Sequence, residues 1–124
     1  MTSVFERPAF RRARRLCLAL PETTERQSWG HPSFRAGKKT FCTFEMIGGR
    51  PSIAFRLDPA AVKRALRRPR FFETPYGRGV WVSVSVEDRI EWRLVEAMIE
   101  QAYRSVATKS LCRLLDGRRR RVAR

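Results

Sequence analysis

Apolar positions along the first part of the chain recur at helical spacing. Phe10, Ala13, Cys17 and Leu20 form one stripe, with Arg11, Arg12, Arg14 and Arg15 mostly on the other faces, which predicts a helix over 9–20. Pro21 stops it. The polar stretch Glu22 to Ser28 predicts a loop leading into Trp29-Gly30-His31-Pro32. From Phe34 the period falls to two. Lys39 to Ile47 alternates, Gly48-Gly49 signals a two-residue turn, and Ser52 to Leu57 alternates again. Such a turn sets Ile47 opposite Arg50 and Phe44 opposite Ile53. That register places Cys42, Phe44, Met46, Ile53, Phe55 and Leu57 on a core face, with Phe41, Thr43, Glu45, Ser52, Ala54 and Arg56 on the other. A turn at Ala36-Gly37-Lys38 would add Phe34-Arg35 as a short preceding strand.

Asp58-Pro59 opens a short helix to about Arg67, with Asp58 as cap and Pro59 in the first turn. Phe71 and Phe72 begin a short strand, and Tyr76-Gly77-Arg78-Gly79 is a turn. Val80, Val82, Val84 and Val86 then alternate with Trp81, Ser83 and Ser85; four valines facing the core turn Trp81 away from it. The closing helix is predicted from Asp88 to Ala107, with Asp88 and Glu91 at capping-box spacing and Leu94, Val95, Met98, Ala102 and Val106 as its stripe. The expected fold is α+β, an antiparallel sheet with both long helices packed on one face and the other face open to solvent. Residues 1–108 form its single domain, and 109–124 a frayed helix and flexible basic tail.

Composition narrows the function without naming it. At 124 residues, 43% hydrophobic and 31% charged, the chain suits one globular domain. No apolar run approaches a membrane span, and no h-region marks a secretory signal. Three separated cysteines without CxxC spacing suit a reducing cytoplasm and give neither a disulfide framework nor a zinc site. The net charge of +15 favours a polyanionic partner. The last sixteen residues hold seven basic side chains against Asp116, so the remainder still carries +9. Arg outnumbers Lys by 23 to 4, a bias that a GC-rich coding sequence also produces.

Catalytic chemistry finds little support in these residues. His31 is the sole histidine, no GxSxG elbow accompanies it, and Cys42 falls on the core face, where a thiol is ordinarily inert. Scattered Cys and one His give no ligand cluster, and no phosphate-cradling glycine motif is present. The open face is the better candidate. It carries Phe41, Arg56 and Trp81, unless the 22–34 segment, with its own Trp29 and Phe34, covers Trp81. In an up-and-down sheet the Gly48-Gly49-Arg50 and Gly77-Arg78-Gly79 turns emerge at one end as two wings, with Lys38 and Lys39 at the other.

Leu20-Pro21, Gly30-His31-Pro32-x-Phe34, Lys39-x-Phe41 and Gly79-x-Trp81-Val82 before a closing helix together resemble the MmcQ/YjbR family, over roughly residues 8–107. The resemblance implies a small bacterial cytoplasmic protein with a CyaY-like (frataxin-like) sandwich, and DNA binding through a double wing of β-hairpins. Frataxin kinship also raises iron handling. Here the first helix carries Arg11, Arg12, Arg14 and Arg15 in place of acidic ligands, so no metal or other cofactor is expected.

The leading expectation is a non-enzymatic, monomeric DNA-binding protein of little sequence specificity, with no membrane partner. Arg50 and Arg78 would contact phosphates, supported by Arg56, Lys38 and Lys39. Trp81 would stack on the open face, and Arg118, Arg119, Arg120 and Arg121 would tether electrostatically. The alternative is a protein- or small-anion-binding module using the Trp81 face, which predicts an invaginated, partly apolar cavity near Trp81, Trp29 and His31; a flat positive face favours nucleic acid.

Overall fold

The period-two segments assemble into one six-stranded sheet, antiparallel at every pairing, in the order β1-β2-β3-β4-β6-β5. The structure, a computed structural model, describes residues 4–77, 79–87 and 89–123. After a 3-10 turn at Val4–Glu6, the elements are α1 (Pro8–Leu18), β1 (Thr23–Ser28), β2 (His31–Ala36), β3 (Lys39–Ile47), β4 (Arg50–Arg56), α2 (Pro59–Ala65), β5 (Phe71–Glu73), β6 (Trp81–Ser85), α3 (Trp92–Val106) and α4 (Lys109–Ala123). The class is α+β. Among the described residues no helix is long and apolar enough to cross a membrane.

α1 and α3 cover one face of the sheet. Phe10 of α1 packs on Phe44 of β3 with ring centroids 4.8 Å apart, and Phe34 meets Phe44 at 4.9 Å. Tyr103 of α3 meets Phe41 edge-on at 5.5 Å, and its hydroxyl donates to the Pro21 carbonyl at 2.7 Å. Each buried ring of this size contributes roughly 1.5–3 kcal/mol. The β3–β4 register is the one the Gly48-Gly49 turn dictates, with Ile47 opposite Arg50 and Phe44 opposite Ile53. Asp58 caps α2 as expected, accepting from the Ala61 N–H at 2.9 Å, although the helix ends at Ala65.

Phe41 departs from strict alternation. Phe34 pairs with Cys42 and Arg35 with Thr40, so Phe41 is the extra residue of a β-bulge. The bulge shifts the side-chain parity, and Phe41 and Cys42 both enter the core, fully buried. Met46, expected inside, lies near the hairpin tip and is 47% exposed.

The predicted 22–28 loop is instead the edge strand β1. Its alternation is polar on both faces. Thr23 and Glu25 lie opposite the core residues Ala36 and Phe34, and Glu25 takes an ion pair from Arg14 of α1 at 2.9 Å, so no apolar periodicity marks it. α3 starts at Trp92 rather than at residue 88. Glu91 is its N-cap without a side-chain cap bond, and Asp88 lies outside the described residues. Its buried stripe is Val95, Met98, Ile99, Ala102 and Tyr103, rotated from the predicted one.

The expected flexible tail is helical. Thr108 Oγ1 accepts from the Leu111 N–H at 3.2 Å to start α4, and Leu115 is buried in the core. Arg104 of α3 donates to Asp116 at 2.7 Å, and Arg119 pairs with Glu100. Buried Leu115, partly buried Leu111 and two ion pairs to α3 hold a segment whose composition alone reads as a polycation.

Candidate functional site

Strand alternation leaves the face opposite α1 and α3 to short hydroxylated side chains. Ser33, Thr43, Ser52, Ala54 and Ser83 occupy its centre, and all are buried. Over Ser83 and Thr43 lie Thr74 and Tyr76, which follow β5. Thr74 makes a 2.7 Å hydroxyl contact with Ser83, and Tyr76 reaches across to β3. The face expected to be open is therefore partly roofed.

Between that roof and strands β1–β3 lies a cavity of about 390 Å³, lined by Ser28, Trp29, His31, Ser33, Thr40, Thr43, Glu45, Tyr76 and Trp81. Glu45 is its polar centre. Thr43 Oγ1 donates to Glu45 Oε2 at 2.7 Å, and the Tyr76 hydroxyl donates to the same oxygen. His31 Nε2 lies 3.5 Å from Glu45 Oε1. A carboxylate gripped by two hydroxyls and facing an imidazole is held in one orientation. Ser33 Oγ donates to the Arg26 carbonyl at 3.2 Å, which fixes the neighbouring wall.

The aromatic walls are positioned as firmly. Trp81 and Tyr76 have ring centroids 5.8 Å apart, tilted by 60°. Trp81 lies directly on the Gly77 backbone: a Cβ there would stand 2.1 Å from Trp81 Cδ1, and Gly77 has φ +62°. Only glycine admits both the conformation and the indole. Trp29 sits at the rim, 99% exposed, in the Trp29-Gly30 turn with φ +54°. A bulky residue at positive φ in full solvent is an unusual placement.

Of the described residues expected to bind DNA, Trp81 alone lines this cavity, half-buried; Phe34, expected as a possible cover for it, is in the core. The wings do not share an end. Arg56 pairs with Trp81 and Ser52 with Ser85, and Leu57 N–H donates to the Val80 carbonyl at 2.8 Å. The Gly77–Gly79 turn therefore emerges beside Lys38 and Lys39, opposite the Gly48-Gly49-Arg50 turn. The antiparallel β4–β6 pairing forces this, because α2 and β5 intervene and return the chain to the Arg56 end. Arg78 lies outside the described residues.

Arg56 is occupied, its guanidinium donating to the Ser105 carbonyl at 3.4 Å while Ser105 Oγ donates back at 2.9 Å. Arg118 donates to the Ala19 carbonyl at 3.3 Å and Arg119 pairs with Glu100, on the helical side of the molecule; Arg120 and Arg121 are exposed. Lys38 and Lys39 are exposed at the β2–β3 turn. Arg50 shares a crevice of about 270 Å³ with Arg70, Ser85 and Glu87. Sequence patterning singled out neither Arg70 nor Tyr76. Alternation did put Thr43 and Glu45 outward, and the alternative reading's expected cavity near Trp81, Trp29 and His31 matches three of its lining residues.

Cys42 and His31 are on opposite faces of the sheet, so they form no dyad. Cys17 and Cys42 are both fully buried, and burial, followed by the Cys42 thiol beside it, raises Cys17 well above the usual thiol range. Among the described residues no three His, Cys, Asp or Glu side chains gather as a metal site.

A family model described as YjbR matches residues 18–105. No curated protein matches the sequence. Among solved structures, a Deinococcus radiodurans protein containing a DUF419 domain is similar, with 16% identity, a TM-score of 0.63, and coverage of 78% of this chain and 77% of that one. A Pseudomonas syringae protein is similar at 16% identity with a TM-score of 0.57, covering 68% of this chain and 86% of that one. At such identity the likeness concerns the fold.

Proposed function

The chain belongs to the YjbR family, and we propose that it is a non-enzymatic binding module whose ligand seats in the Trp81 cavity. The observation that carries this reading is the cavity itself. It is an open cleft with aromatic walls and a fixed polar floor made by Glu45, His31, Thr43 and Tyr76. Recognition sites for small groups combine apolar walls with a few placed polar atoms. A phosphate-reading surface needs no such invagination. The helices lying on one side of an antiparallel sheet also support reading the fold as CyaY-like.

The test is a fragment screen followed by NMR of the indole N–H resonances. Trp92, packed on Arg12 at 4.5 Å and absent from the cavity, is the internal control. Ligands should move Trp81 and Trp29 and leave Trp92 in place. A screen in which no fragment moves Trp81 selectively rejects the reading.

A second reading, DNA binding, is favoured by Arg50 and Arg70 sharing one crevice, beside Ser85 and Glu87, in a chain of net charge +15. It needs no paired wings, since phosphate contacts alone give binding without base specificity. A labelled random-sequence duplex titrated across a salt series should show log K falling against log salt with a slope near about −4.5 if roughly five phosphates are neutralised. Arg50→Ala with Arg70→Ala should flatten that slope by about two. A slope near zero removes the electrostatic mechanism.

A further inference from the structure

We propose that the cavity takes an organic cation, an ammonium or quaternary ammonium head group. The inference rests on the reading of this cavity as the binding site and names the ligand class. The chain has 27 Lys and Arg residues, and among the described residues none of them lines the cavity. Glu45 is the one acidic lining residue, and its carboxylate is fixed by Thr43 and Tyr76. Arg26 and Arg35 lie on the same face by register, opposite Ser33 and Thr40, yet neither contributes to the lining. Among the described lining residues an anion entering here would meet a carboxylate and no lysine or arginine. A cation meets the opposite arrangement.

The aromatic geometry fits the same class. Trp81 and Tyr76, in tilted contact with ring centroids 5.8 Å apart, both line the cavity, and Trp29 stands exposed at the rim. Aromatic faces carry negative potential, and several set at angles around one position attract a cation from more than one side. Ser28, Ser33, Thr40 and Thr43 complete the lining with hydroxyls, whose oxygens accept from an N–H or solvate a charged carbon shell. His31 faces Glu45 Oε1 at 3.5 Å, so the imidazole and an entering cation address the same carboxylate.

The experiment uses the full chain, labelled with nitrogen-15, and three probes at matched ionic strength: choline chloride, its uncharged isostere with carbon in place of nitrogen, and sodium acetate. Choline should shift the Trp81 and Trp29 indole resonances, leave Trp92 still, and bind roughly tenfold more tightly than the isostere. Glu45→Gln, which keeps the side-chain shape, should abolish most of that preference, and Trp81→Phe should reduce affinity for both. Equal binding of the isostere, or preferential binding of acetate, overturns the cation assignment while the cavity remains a binding site. If choline fails to move Trp81 but fragments from the neutral screen do, the cation assignment again falls alone. Silence from every probe and every fragment overturns both readings.

Discussion

Under α1 and α3 the sheet presents Phe34, Phe41, Phe44 and Phe55, all fully buried; on the reverse of the same strands stand Ser33, Thr43, Ser52, Ala54 and Ser83. Both sets are out of solvent, for different reasons. The aromatic side is dry because two helices must cover it to gain hydrophobic free energy. On the hydroxyl side Thr74 and Tyr76 are held by discrete polar contacts, Thr74 to Ser83 and Tyr76 to Glu45. One face therefore tolerates no change in volume, whereas the other leaves space beside its roof. That unfilled space is where a ligand can act.

Substitutions should separate the two faces. The largest expected effect is Phe44→Ala, which removes the ring between Phe10 and Phe34 and should cost about 3–5 kcal/mol in urea unfolding. A cost no larger than that of outer-face substitutions would dissolve the contrast. Gly77→Ala combines positive φ with a collision against Trp81 and should cost about 1–3 kcal/mol. It should also displace the indole, read as a changed Trp81 resonance and lost ligand response. Thr74→Ala leaves the Ser83 hydroxyl buried without its partner and should cost about 1–2 kcal/mol. The double variant with Ser83→Ala should recover part of that loss, and strict additivity would argue against a coupled anchor.

Tyr103→Phe tests the inner face by pH. Burial pushes the Tyr103 phenol up to about 12, so the folded state holds the proton more tightly than the unfolded chain. The tyrosine's contribution is then complete below the ordinary value near about 10 and declines as pH rises towards about 12. Near pH 8 the variant should lose about 1 kcal/mol through the bond to Pro21, and the gap should narrow near about pH 11. A gap independent of pH would contradict the shift. The smallest effect is Trp29→Gly, which should change stability by less than about 0.5 kcal/mol because it removes an exposed ring and relieves positive φ together. Its consequence should appear in ligand response instead.

Several elements are legible in the chain because their causes are local. Gly48-Gly49 sets a hairpin register correct to the residue pair, Asp58-Pro59 starts α2, and the Val82–Val84 alternation turns Trp81 to the outer face. β1 escapes notice because its partners, Arg14 for Glu25 among them, come from elsewhere in the fold. α4 is expected only as a frayed helix with a flexible tail, because its basic composition conceals Leu115 and the ion pairs of Asp116 and Arg119 that dock it.

By itself, then, the sequence determined the α+β class, the main hairpin, the placement of Thr43, Glu45 and Trp81 on the outer face, and the family. Alternation, turn chemistry and capping act within a few residues. Tertiary structure decided the rest. A single bulge drew Phe41 into the core, and the β4–β6 pairing sent the two glycine turns to opposite ends. The crossing of Tyr76 to Glu45, 31 residues away in the chain, walled one side of a cleft on what alternation alone presents as an open face. Those outcomes depend on which distant segments meet, and no local period encodes that.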